Sequence, residues 1–124
     1  ETCPCGSGRP YETCCGPLHA GKAAADAEGL MRSRYCAYVL GLEAYLLATW
    51  HPDTRPATVE LDATPHPQWL GLAVKAYTPQ DERHATVEFV ARYKLNGRAF
   101  KLHETSRFQQ IEGRWLYVDG EIKG

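Results

Sequence analysis

The sequence predicts an α+β fold, in which two helices pack on a curved antiparallel sheet behind a small cysteine-rich knuckle. Three observations predict it. Four of the five cysteines fall within the first fifteen residues, apolar residues then recur at spacings of three and four, and from Ala57 onward the period changes to two. At 124 residues with 44% hydrophobic composition, the chain can supply one ordinary core and a small appendage that cannot support itself.

The amino-terminal run CPCGSGRPYETCCGPLH sets the first problem. Cys3 and Cys5 are one residue apart, and Cys14 and Cys15 are adjacent, so a disulfide within either pair is strained. Two disulfides between the pairs would crowd four sulfurs together, an arrangement that suits a tetrahedral ion better. Zinc takes four thiolates at about 2.3 Å. A segment of this size buries too little apolar surface to offset its ordering entropy, so bound metal would supply most of its folding free energy. Gly6 and Gly8 can take positive φ and bring backbone N–H groups toward the thiolates, Ser7 can cap a turn, and Arg9 can offset negative charge. The residues leave two ligand sets open: Cys3, Cys5, Cys14 and Cys15, which is favoured, or Cys3, Cys5, Cys14 and His19. Either set closes the coordination sphere, which makes the zinc structural, with no open position for an activated water. A redox pair is disfavoured because Cys-x-x-Cys is absent.

Asp26 is a candidate N-cap for a helix that carries Ala27, Leu30, Met31, Arg34, Tyr35, Tyr38 and Val39 on its repeating face and ends at Gly41. Leu42 to Trp50 reads as a shorter helix stopped by His51-Pro52. Five β-like runs follow, at about 57–62, 69–78, 85–94, 99–110 and 114–119. Asn96-Gly97 and Glu112-Gly113 mark hairpins between the last three. The boundary near residue 22 separates a knuckle, 1–22, from an α+β domain, 23–124.

The run Cys-Pro-Cys-Gly-Ser-Gly-Arg-Pro-Tyr, followed by Cys14-Cys15-Gly16, resembles the SEC-C motif, the zinc-binding element at the carboxyl end of the SecA translocation ATPase. In that motif the last ligand directly follows the third cysteine, so the resemblance places it on Cys15 rather than His19. GLMRSRYCAYVLG, YLLATWHPDTR, FVARY, HETSRF and GRWLYVDG resemble the bacterial YchJ family, whose members join such a motif to a nuclear-transport-factor-2-like domain. The resemblance implies a cone-like sheet whose mouth often holds a ligand. By similarity to SecA's contacts with the chaperone SecB and with ribosomes, it also implies a protein partner for the knuckle, connected with translocation or the ribosome.

Several classes have no support in the sequence. A net charge of −1 offers no field for nucleic acid or anionic lipid, so nucleic acid is not favoured as a partner. No apolar stretch approaches the ~20 residues of a membrane span, and no basic-apolar leader precedes Cys3, so the expected compartment is the cytoplasm. Nucleotide-loop, serine-hydrolase and metalloprotease motifs are absent.

The alternative to a binding module is a small-molecule enzyme, of isomerase or hydrolase type, working in the cone pocket. Phe100, Leu102, Glu104, Ser106 and Phe108 share one strand face, which puts a carboxylate into an apolar row. There Glu104 can act as a general acid or base, with His51, His103 or Arg107 as helpers. Its structural reading is an ion pair with Arg92 or Arg34, or a bulge toward solvent. His84 is a further histidine of the same kind. Of Arg32 and Arg34, two apart on a helix, at most one enters the cavity. The aromatic residues read as core and cone lining, and Cys36 as a small buried apolar residue.

Overall fold

A computed structural model describes residues 2–61 and 64–123. A 3₁₀ turn, Tyr11–Thr13, leads into α1, Cys15–His19. The longer α2, Ala27–Leu40, is followed by α3, Glu43–Ala48, and four strands then complete the chain: β1, Gln68–Pro79; β2, His84–Leu95; β3, Arg98–Ile111; and β4, Arg114–Ile122. The strands form one antiparallel sheet in the order β1-β2-β3-β4, and α2 packs across it. No helix among the described residues is long and apolar enough to cross a membrane.

Local chemistry sets the limits of α2. The Asp26 carboxylate accepts from the Gly29 N–H at 2.7 Å and satisfies a donor that the first turn leaves free. At the other end Gly41 takes φ +77°, a left-handed C-cap that β-carbon-bearing residues adopt only with strain. The expected second helix forms, but it is confined to α3. Thr49 closes it by turning its hydroxyl back to the Tyr45 carbonyl at 2.8 Å.

Both hairpins lie where the sequence puts them. Asn96 and Gly97 have φ +54° and +81°, and Glu112 and Gly113 have φ +51° and +79°. These paired left-handed residues match the right-handed twist of the strands they join. The sheet buries Ala85, Val87, Phe89 and Ala91 of β2 against α2, and β3 alternates in phase, with Ser106 and Phe108 buried.

The run at 57–62 was expected to form a strand and does not. Residues 57–61 are irregular, and Asp62 lies outside the described residues. The adjoining segment covers the free edge of β4 instead. The His51 N–H donates to the Tyr117 carbonyl at 2.7 Å, the Tyr117 N–H to the Thr49 carbonyl at 2.8 Å, and the Thr54 hydroxyl to the Val118 carbonyl at 2.6 Å. An edge covered in this way has no need of a fifth strand.

Register shifts in β1, between Trp69 and Gly71 and again between Val74 and Ala76, re-aim its inner face. Trp69, Leu72, Val74 and Tyr77 therefore pack on the core, a set that strict alternation does not produce. A third shift, opposite Arg107 and Phe108, moves β4 by one residue and brings Gly120 opposite Ser106. Replacing the N-cap tests the helix limit: Asp26→Ala should lower the unfolding free energy by about 1 kcal/mol, read as a shift in urea midpoint. An unchanged midpoint would show that packing alone sets the start of α2.

Candidate metal centre and cavity

The knuckle is a short loop folded back on itself. Thr2 bridges Pro10, and the Cys3 N–H donates to the Arg9 carbonyl at 2.8 Å. Gly6 and Gly8 take φ +82° and +84°, as the turn requires. Gly16 lets α1 sit on the 3₁₀ turn, where a β-carbon would stand 2.8 Å from the Tyr11 carbonyl oxygen. This path brings Cys3, Cys5, Cys14 and Cys15 together. All four are buried, and their Sγ atoms lie within 4.8 Å of one another.

The geometry fits a thiolate-bound metal. Cys5 and Cys14 Sγ are 3.5 Å apart, and Cys14 and Cys15 Sγ are 3.9 Å apart. A tetrahedral site with metal–sulfur bonds of about 2.3 Å has sulfur–sulfur edges of about 3.8 Å. All five cysteines of the chain are free thiols. Burial pushes Cys3 up to about 12. Hydrogen bonding to Cys36 and then to Cys5, together with burial, pushes Cys15 up, while the bond from Cys15 holds Cys5 down at about 4. A cation bound among the four sulfurs would favour their ionised forms, which otherwise repel one another in so small a space.

Second contacts orient the sulfurs. The Ser7 hydroxyl lies 3.1 Å from Cys14 Sγ and accepts from the Arg9 N–H, and Arg9 Nη2 donates to the same sulfur at 3.7 Å. Arg32 ties the knuckle to α2 by donating from Nη1 to the Cys5 carbonyl at 2.9 Å. His19 lies outside the sulfur cluster. Its Nδ1 is bonded to the Tyr11 hydroxyl at 2.7 Å and its Nε2 to the Ser33 carbonyl at 2.9 Å, so both ring nitrogens have partners.

Cys36 is fully buried, as its helical position predicts, but its Sγ also stands 4.0 Å from Cys3 Sγ. Spacing along α2 identifies Cys36 as buried. Its contact with Cys3, 33 residues away, carries no local signal.

A second feature lies between α2 and the sheet, a cavity of about 270 Å³. Glu104 enters it from β3, with Leu102, Ser106 and Phe108 on the same face, as strand parity predicts. The expected ion pair with Arg92 or Arg34 is not formed. Among the described residues Glu104 makes no ion pair, and its Oε2 accepts from the Ser106 hydroxyl at 2.7 Å. Arg34 enters the cavity from α2, whereas Arg32 turns to the knuckle.

The helpers named for Glu104 lie elsewhere. His103 is on the outer face of the sheet, 2.6 Å from Glu88 Oε2, and Arg107 pairs with Asp119 at 2.6 Å on that face. His51 accepts the Asp53 N–H at Nδ1, and His84 bonds Asp81 beside the β1–β2 turn. None of these four lines the cavity. Parity along β3 already separates residues 103 and 107 from 104. The position of His51 depends on the irregular segment over β4, which periodicity does not describe.

A buried cluster of four thiols joined to helices on an open antiparallel sheet defines a SEC-C-bearing, nuclear-transport-factor-2-like protein. Residues 1–17 match the SEC-C motif, and residues 26–120 match "YchJ, middle NTF2-like domain". The chain belongs to the YchJ family. It is 58% identical to a UPF0225 protein of Ralstonia nicotianae, covering 97% of this chain and 90% of the relative. It is equally identical to one of Bordetella pertussis, covering 98% and 92%. The solution structure of a SEC-C motif containing protein from Rhodopseudomonas palustris superposes with a TM-score of 0.88 at 36% identity over the full length of both chains. A crystal structure of a sec-c motif containing protein from Psychrobacter arcticus gives 0.84 at 32% identity, covering all of this chain and 84% of that one.

The two ligand sets make opposite predictions. Cys15→Ser should lose bound metal, and His19→Gln should retain it at the wild-type ratio, both measured by elemental mass spectrometry. Metal loss in His19→Gln with retention in Cys15→Ser would assign the fourth position to the histidine.

Proposed function

We propose that this chain is a metal-stabilised binding protein of the cytoplasm. Zinc held by Cys3, Cys5, Cys14 and Cys15 shapes the knuckle, the knuckle docks a protein partner, and the cavity takes a small ligand. The observation that carries this reading is the set of four buried sulfurs within 4.8 Å of one another. Soft thiolates select zinc or another thiophilic metal over magnesium or calcium, and four of them leave no position for catalysis at the metal. Free thiols suit a reducing compartment.

Support for a docking role comes from what the knuckle leaves outside. Its sulfurs are buried, while Gly8, Arg9, Pro10, Glu12 and Thr13 are exposed around them. A metal that fixes such a loop removes the ordering cost that a flexible segment would meet on binding. By resemblance to the SecA element, the partner is a component of protein translocation or of the ribosome. The cavity favours binding over acid–base chemistry, because Glu104 stands there without His51, His84, His103 or Arg107.

Protein purified without chelator should carry about one zinc per chain. A photo-crosslinker placed at Thr13 should capture a discrete partner in cells, and the product should disappear in Cys14→Ser. The same product from metal-free Cys14→Ser would contradict docking by the metal-shaped knuckle, and iron in place of zinc would reassign the ion.

A further inference from the structure

The cavity under α2 contains two opposite charges that do not meet. Arg34 is 6% exposed. Its Nη1 donates to the Leu46 carbonyl and to the Thr49 hydroxyl, both at 2.8 Å, which ties α2 to the end of α3. The guanidinium carbon lies 4.9 Å from the Trp50 ring centre and 4.6 Å from that of Tyr117. Among the described residues, Nε and Nη2 of Arg34 make no hydrogen bond.

Glu104 comes from the opposite wall. Ser106 donates to its Oε2, and its carboxylate rests against Gly120, where a β-carbon would collide with it. The bulge in β4 is what brings Gly120 to this position. A carboxylate offers about four acceptor sites, and the protein fills one of them with a side chain. Burial lowers the pKa of Arg34, and attraction to Glu104 is the least of the influences that oppose it, in keeping with two groups that face each other without forming an ion pair.

The remaining walls are apolar or aromatic and include Met31, Tyr35, Tyr38, Trp69, Phe89 and Phe108. Among the described residues only Trp50 Nε1 is a fully buried side-chain polar atom without a partner, so the unbonded atoms of Arg34 and Glu104 are open to water or to a ligand that bridges them. A carboxylate ligand would satisfy Arg34 and repel Glu104, and an amine or amidine would do the reverse. An uncharged group with an acceptor beside a donor satisfies both and leaves the cavity neutral. The volume, at the small end of ligand pockets, admits a body of about one or two rings.

We propose that the cavity binds a small uncharged molecule with an aromatic or apolar body and an amide-like or lactam-like head, its carbonyl accepting from Arg34 and its N–H donating to Glu104. This rests on the reading above that the cavity takes a ligand, and it adds the chemistry.

Met31 is the chain's single methionine and lies in the cavity wall, so methyl-¹³C methionine labelling places one NMR reporter at the site. The zinc-loaded protein is titrated with benzamide, benzoate, benzamidine and toluene. Benzamide should shift the Met31 methyl saturably and bind about tenfold or more tighter than the other three. In Glu104→Gln the guanidinium loses its counter-charge, and benzoate should gain on benzamide by a similar factor.

If none of the four probes moves Met31, the cavity is not a ligand site and the underlying reading fails with this one. If toluene or a charged probe binds as well as benzamide, or if Glu104→Gln leaves the order unchanged, the cavity binds ligands but the proposed head group is wrong. Should Glu104→Gln not fold, Gly120→Ala asks the same question by crowding the Glu104 carboxylate out of place. It should weaken benzamide and leave toluene unchanged, and equal effects on both would overturn the proposal.

Discussion

The structure depends on four cysteine sulfurs gathered into one small buried volume. Four thiolates this close would repel one another without a cation, and the loop that carries them has few apolar residues of its own. A bound metal would resolve both conditions at once. The cysteine site also packs against the rest of the chain. Cys3, Cys5, Cys14 and Cys15 belong to the same buried cluster as Leu30, Met31 and Cys36 of α2 and Val87 and Phe89 of β2. Arg32 adds a hydrogen bond from α2 to the knuckle backbone, and a β-carbon on Gly6 would stand 3.3 Å from the Leu72 carbonyl of β1. The candidate metal site therefore lies in the same buried cluster as the helix that also forms the cavity wall.

Much of this architecture is legible in the sequence because it is local. The Asp26 cap, the Gly41 terminus and the Asn96-Gly97 and Glu112-Gly113 turns each involve residues a few positions apart, and each forms as written. What periodicity misses arises from contacts distant in sequence. The 57–61 run has β-like composition, but the β4 edge is covered by hydrogen bonds from Thr49, His51 and Thr54, and no strand is added. Bulges in β1 and β4 change which residues face inward, and a bulge leaves little trace in an alternating pattern.

The two sites differ in the same way. Adjacent and near-adjacent cysteines announce a metal centre, because few other arrangements tolerate that spacing. The cavity is half legible: β3 parity places Glu104 among apolar neighbours, and helical geometry allows only one of Arg32 and Arg34 to enter. That Glu104 and Arg34 share the cavity without pairing, and that Gly120 makes room for the carboxylate, depends on register between distant strands. The partners found for His103, Arg107 and His51 likewise come from cross-strand and loop contacts.

Amide hydrogen exchange with and without metal tests the central claim most directly, because it resolves where the loss of the ion is felt. If the thiolate site is one end of a continuous core, removing the metal should deprotect α2 and β1 as well as residues 2–19. Faster exchange confined to 2–19, with α2 and β1 unchanged, would contradict the account and make the knuckle an independent attachment.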